Sequence, residues 1–169
     1  MTAINVFTEN LYPDWNLEEK DVIERTTKLL RHYIKLLEGD SCLKGYEYSS
    51  ITLDIVFCNS QTTHELNLEY RKIDKPADII TFAIFADNDD RFVCDGDINL
   101  GEIVIALDKV TEMVNSDISM AKNRDQELYF LISHGLMHLL GFDHRDDKEY
   151  NFVISEQRKA LEVINYDKI

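Results

Sequence analysis

The sequence predicts an α+β fold: a single domain spanning residues 1–169, with a small mixed β-sheet of about four strands packed by helices and a central buried helix. Three observations predict it. Ser49–Cys58 alternates Ile51, Leu53, Ile55 and Phe57 with Thr52, Asp54 and Val56, the period-two mark of a strand with one face in a core. Val22, Ile23, Leu29, Leu30, Tyr33, Ile34 and Leu37 keep helical spacing. The run from Leu128 to Leu140 is apolar nearly all round, so as a helix it must be covered on most sides.

The remaining elements fall between these. Ala3–Phe7 is a short alternating segment, read as a strand. Asn16 followed by Glu19 has the form of a helix start, and Gly39 stops that helix. Lys28, Arg31 and Lys35 form a stripe on its side, read as a solvated face and as the best basic patch of the first half. Ser60 caps a helix from Gln61 to about Arg71, with His64 on its surface and without a ligand partner at helical spacing. A loop broken by Pro76 leads to Asp78–Phe85, whose β-branched and aromatic residues predict a strand buried on both faces. Asp87–Gly96 is acidic and turn-rich, a mobile loop by composition. Ile98–Leu107 is another strand, with Gly101 marking a bulge or a close backbone approach. A helix from Asp108 to about Ser116, a polar connection near Asn123, the apolar helix, and a last helix capped by Asp146 or Asp147 and running to about Val163 complete the chain.

Size and composition narrow the function. A chain of 169 residues builds one sizeable core, and 44% hydrophobic with 30% charged residues is ordinary for a folded protein. The net charge of −14 is not ordinary: it opposes bulk nucleic acid, so any RNA role must rest on a local basic patch or on a partner. Cys42, Cys58 and Cys94 are widely spaced and make no C-x-x-C pair, so they read as small buried hydrophobes rather than disulfides or thiolate ligands. No apolar run reaches membrane-spanning length, and a reducing cytoplasm fits best.

The chemistry concentrates at the end of the apolar helix. His134 and His138 are four residues apart and share one helix face, close enough for two imidazoles to hold one ion. His144 cannot reach them by continuing the helix, but Gly141 can take the left-handed conformation that ends a helix and folds the chain back. Three neutral histidines suit a divalent ion, zinc foremost although imidazoles also serve nickel, copper and iron, and leave one tetrahedral position for water. The bland alternative is three core histidines, which the glycine between the second and third argues against.

The block from His134 to His144 resembles the signature of the YbeY family of bacterial endoribonucleases of ribosomal RNA maturation. Leu66-Asn67 with Tyr70-Arg71, then Lys75 to Phe82, resembles the family's second block, and Leu100 to Ile105 its third. Ala77, Thr81 and Glu102 depart from the threonine, serine and aspartate usual there. The resemblance implies an ion on His134, His138 and His144, no other cofactor, and cleavage of single-stranded ribosomal RNA, notably at the 3′ end of the small-subunit RNA, with a role in ribosome quality control. The ribosome or small-subunit proteins and an assembly GTPase are the implied partners, with neither DNA nor a membrane. Arg71 matches the family's cleft arginine and, beside a dication, can hold a phosphate oxygen. His134, Arg71 and Asp143 are therefore the catalytic candidates, Asp143 as an outer carboxylate or simply as the turn residue before His144.

Two other functions remain open at this level. A metallopeptidase of the H-E-x-x-H kind needs a glutamate where Gly135 stands. A ribosome-assembly adaptor with a structural metal would use the acidic surface to meet a basic protein. For RNA cleavage, either water or the ribose 2′-hydroxyl can attack.

Overall fold

The computed structural model describes residues 1–116 and 123–166. The polar connection expected before Asn123 lies for the most part outside them. The four strands are β1 (Ala3–Asn10), β2 (Ser50–Cys58), β3 (Ile79–Phe82) and β4 (Asp97–Ala106), and the helices are α1 (Glu19–Leu37), α2 (Ser60–Arg71), α3 (Leu107–Val114), α4 (Arg124–Leu139) and α5 (Asp147–Val163). The sheet order is β1-β2-β4-β3, with β1, β2 and β4 parallel and β3 antiparallel at the edge, so the sheet is mixed as expected.

One face of the sheet makes the main core. Leu53 and Ile55 of β2 and Ile103 and Ile105 of β4 are wholly buried against Leu29, Leu30 and Tyr33 of α1 and Ile132, Leu136 and Leu139 of α4. Each such side chain contributes roughly 1.5–3 kcal/mol of transfer free energy, so this face holds the molecule together. On the other face Cys58, Ile80 and Val104 pack with Leu66 of α2 into a small second cluster.

The helix and strand ends differ in detail from expectation. Asn16 does not cap α1: residue Glu18 occupies the cap without a side-chain hydrogen bond. A short 3-10 turn, Glu38–Asp40, follows the end of that helix at Leu37. Asn59, not Ser60, caps α2, accepting the Thr62 N–H at 3.0 Å, while Ser60 donates to Asp108. β1 runs three residues past Phe7, because Glu9 and Asn10 still find partners in Val56 and Phe57 of β2. The strand expected over Asp78–Phe85 keeps only four residues, of which Ile80 alone is buried. As the edge strand, β3 has a neighbour on one side only and sits half in an open cleft. Cys94 is exposed, unlike Cys42 and Cys58.

Gly101 combines both features foreseen for it. The register slips between Thr52 and Leu53 so that Leu100 is the extra residue of a bulge, and Gly101 follows with φ of 127°. A Cβ at Gly101 would run into the Phe82 carbonyl, so only glycine lets the turn after β3 lie this close.

Candidate metal centre

Ten residues of α4 are buried, from Gln126 to Leu139, as an all-round apolar helix requires. Gly135 faces the sheet, where a Cβ would meet Ile103 at 2.9 Å and Ile79 at 3.1 Å. His134 and His138 are only partly buried and look out from the same helix into a cleft.

The helix ends as Gly141 dictates. With φ of 93° there, the Gly141 N–H donates to the His138 carbonyl at 3.0 Å and the Phe142 N–H to the Met137 carbonyl at 3.0 Å, the paired closure of a left-handed helix end. The Cys42 N–H donates to the Leu140 carbonyl at 2.8 Å, so a further terminal acceptor is satisfied. Folding back this way, the chain carries His144 to the other two rings. Ring centroids lie 4.6 Å apart for His134 and His138, 5.0 Å for His138 and His144, and 5.2 Å for His134 and His144. One nitrogen from each ring falls within 4.8 Å of the others, so the three can hold a metal ion.

Burial prepares these rings for that role. Desolvation pushes the His138 pKa down to about 4, helped by the neighbouring His134, His144 and Arg71 and opposed by Asp143. Burial likewise lowers the pKa of His134. Both rings are then neutral at pH 7, the only state in which imidazole donates a lone pair to a metal.

The cup opens on a cleft of about 570 Å³ that also takes in Arg71, Asp87, Arg91 and Asp143. Arg71 is the last residue of α2, where Lys72 in the left-handed conformation ends the helix and leaves the guanidinium at the cleft. Asp143 lies 3.8 Å from His138 Nδ1, an ion-pair distance rather than a hydrogen bond. All five residues singled out for the site therefore line one cavity. His64 stays outside it, 2.7 Å from Asp74. Two members of the basic stripe on α1 find local partners, with Lys28 at 3.2 Å from Glu24 and Arg31 donating to the Thr2 carbonyl.

Two residues escaped the sequence reading. Arg91 is held in the cleft by hydrogen bonds to the Phe85 and Ala86 carbonyls, 3.1 and 2.6 Å away. Gln157 of α5 is fully buried with its Oε1 3.1 Å from His134 Nδ1. A signal for Gln157 existed: a polar residue midway between Val153 and Leu161 on the inward stripe of α5.

The family description Endoribonuclease YbeY matches residues 14–165. The chain belongs to that family. Endoribonuclease YbeY of Listeria innocua is 32% identical over 168 residues, covering 95% of this chain and 93% of its own. That of Oceanobacillus iheyensis is 32% identical over 147 residues, 83% of this chain and 94% of its own. That of Ligilactobacillus salivarius is 33% identical over 151 residues, 85% and 84%. The solution structure of TM1509 from Thermotoga maritima shares the fold, with a TM-score of 0.56 at 21% identity over 95% of this chain and 88% of that one. Membership makes the chain an endoribonuclease, and hence a hydrolase. Among the described residues no helix is long and apolar enough to cross a membrane.

Proposed function

We propose that this endoribonuclease cuts single-stranded ribosomal RNA with one divalent ion, zinc, held by His134, His138 and His144. The observation that carries the proposal is the convergence of three imidazole nitrogens at the floor of a cleft that Arg71 also lines. The donor set fits: three neutral nitrogens, no fourth protein ligand in the cluster among the described residues, and an open side toward solvent. When bound, such an ion supplies Lewis-acid polarisation of a phosphoryl oxygen and lowers the pKa of coordinated water.

The chain's own groups do the rest. Arg71 offers a fork of N–H donors that grips a phosphate oxygen and spreads the charge developing as the phosphodiester breaks. His134 anchors the reaction centre at its most buried ring. Asp143, beside His138 and half exposed, takes up and hands on the proton lost by the nucleophile. The glutamate of an H-E-x-x-H peptidase has no counterpart here: position 135 is a glycine that faces the sheet, where a Cβ would meet Ile103 at 2.9 Å and Ile79 at 3.1 Å, and not the cleft.

The ribosomal reading follows from family likeness and charge. With a net charge of −14 the protein meets RNA only locally, in the arginine-lined cleft, and docks on basic small-subunit proteins of the ribosome, in the cytoplasm and alongside an assembly GTPase. Residues 1–169 act as one endoribonuclease domain, trimming the 3′ end of small-subunit RNA and removing defective ribosomes. The test is cleavage of an end-labelled single-stranded RNA from that 3′ region by zinc-loaded protein, with chelated protein and His138→Ala beside it. Cleavage by the loaded wild type alone supports the reading. Equal cleavage in all three, or none in any, discards it, and chelation that unfolds the protein without any cleavage favours an adaptor with a structural metal. The product ends separate the two nucleophiles, since attack by the 2′-hydroxyl leaves a cyclic phosphate and attack by water does not.

A further inference from the structure

We infer that Gln157 is a positioning residue that fixes the tautomer of His134, turning Nε2 of that ring toward the ion site. This deepens the metal-centre reading and rests on it, but it follows from hydrogen-bond accounting among buried groups rather than from the family. Gln157 is completely buried, so each end of its amide must be satisfied by protein. One end lies 3.1 Å from the Phe130 carbonyl oxygen and 3.0 Å from Ser133 Oγ. A carbonyl can only accept. The Ser133 hydroxyl has already committed its hydrogen to that same Phe130 carbonyl at 2.7 Å, so toward Gln157 it too can only accept.

That end of the amide is therefore the NH₂, and the other end is the oxygen. Oε1 faces His134 Nδ1 at 3.1 Å and can only accept, which obliges Nδ1 to carry the proton. The neutral ring then has its lone pair on Nε2, the nitrogen that lies 2.9 Å from His138 Nε2 inside the cup. The orientation of one ligand is thus set by the backbone of its own helix, read through a glutamine on α5. Asp143, 3.8 Å from His138, does not do this for its neighbour. Because a neutral amide rather than a carboxylate takes the hydrogen bond, the ring is aligned without adding negative charge behind it.

The experiment uses the full chain in three forms: wild type, Gln157→Met, which keeps the length and apolar bulk but neither accepts nor donates as an amide does, and Gln157→Glu, which restores the acceptor. Long-range proton–nitrogen correlation spectra of the metal-free proteins report which ring nitrogen of His134 is protonated. Competition against a chromophoric chelator reports zinc affinity, and thermal melts report folding. Wild type and Gln157→Glu should show His134 protonated at Nδ1, whereas Gln157→Met should show a mixture or the Nε2-protonated form and bind zinc about 10–100-fold more weakly. If folded Gln157→Met keeps both the Nδ1 proton and wild-type zinc affinity, the inference is overturned. Should Gln157→Met fail to fold, the wild-type tautomer still decides: a proton on Nε2 of His134 refutes it. A wild type with no zinc affinity would overturn the proposed function instead, leaving the tautomer to judge Gln157 separately.

Discussion

The C-terminal end of α4 and its N-terminal end each bury a titratable group, and the same desolvation has opposite consequences. At the C-terminal end burial drives the His138 pKa to about 4, and the resulting neutral ring is what a metal ion needs. At the N-terminal end burial, with Asp78 nearby, drives the Glu127 pKa up to about 7, against the tendency of a helix N-terminus to favour negative charge. No cation in the described structure answers that carboxylate with a salt bridge. The comparison teaches that a desolvated group is an asset where an ion arrives to use its neutral form and a liability where it must ionise at working pH.

The sharpest break in the comparison comes from emptying the C-terminal end. His138→Ala should lose bound zinc and reduce RNA cleavage by on the order of 10³-fold, because Lewis-acid activation disappears with the ion. Metal content by atomic emission, measured on untagged protein, and single-turnover cleavage check it. Retained zinc with retained cleavage would show that the three rings are not the centre. Arg71→Ala should separate substrate contact from metal binding: cleavage falls by ~10²–10³-fold while zinc content and melting temperature stay as in wild type. Arg71→Lys should recover only part, since an ammonium cannot present the planar fork.

The two ends also titrate in different windows. For His138 the folded pKa lies below the unfolded value of 6.5, so as pH falls the unfolded chain takes up the proton first. Stability of the metal-free protein is therefore full well above pH 6.5 and declines below it, by about 1 kcal/mol between pH 6.5 and 5 once solvent screening of the partly exposed ring is allowed for. Urea melts at steps across that range measure it, and added zinc should flatten the curve by holding the ring unprotonated. A metal-free curve that is already flat would mean that the ring is not desolvated.

How much of this was visible in the sequence depends on the range of the interactions. The turn at Gly141 and the rings of His134, His138 and His144 lie within eleven residues, so helical period and one glycine were enough to place them. Strand β2 was legible because one face of it is core and the other is not. Strand β3 was overestimated because Asp78–Phe85 has the composition of a buried strand, and only the tertiary order, which makes it the sheet edge, says otherwise. Asn59 displaced Ser60 as a cap because both are good caps and Ser60 is claimed by Asp108, 48 residues away. Gln157 stayed hidden for the same reason: its partners are 23 to 27 residues distant and belong to another helix.

The smallest expected effect belongs to the N-terminal end of α4, and it bears on whether burial there is truly uncompensated. The folded pKa of Glu127 lies above its unfolded value of 4.5, so the native protein holds this proton longer as pH rises. Stability from this group is present below pH 4.5 and is lost progressively up to about pH 7, above which the native state carries a buried charge beside Asp78. Glu127→Gln keeps the shape and cannot ionise, so it should leave stability unchanged near pH 4.5 and raise it above pH 7. Because the group is only partly buried and solvent screens what remains, the gain should be about 1 kcal/mol rather than the full value of the shift. Paired urea melts of wild type and Glu127→Gln at pH 5 and pH 8 test this. A difference that is the same at both pH values would assign the effect to packing rather than charge, and the contrast between the two ends of α4 would fail at that point.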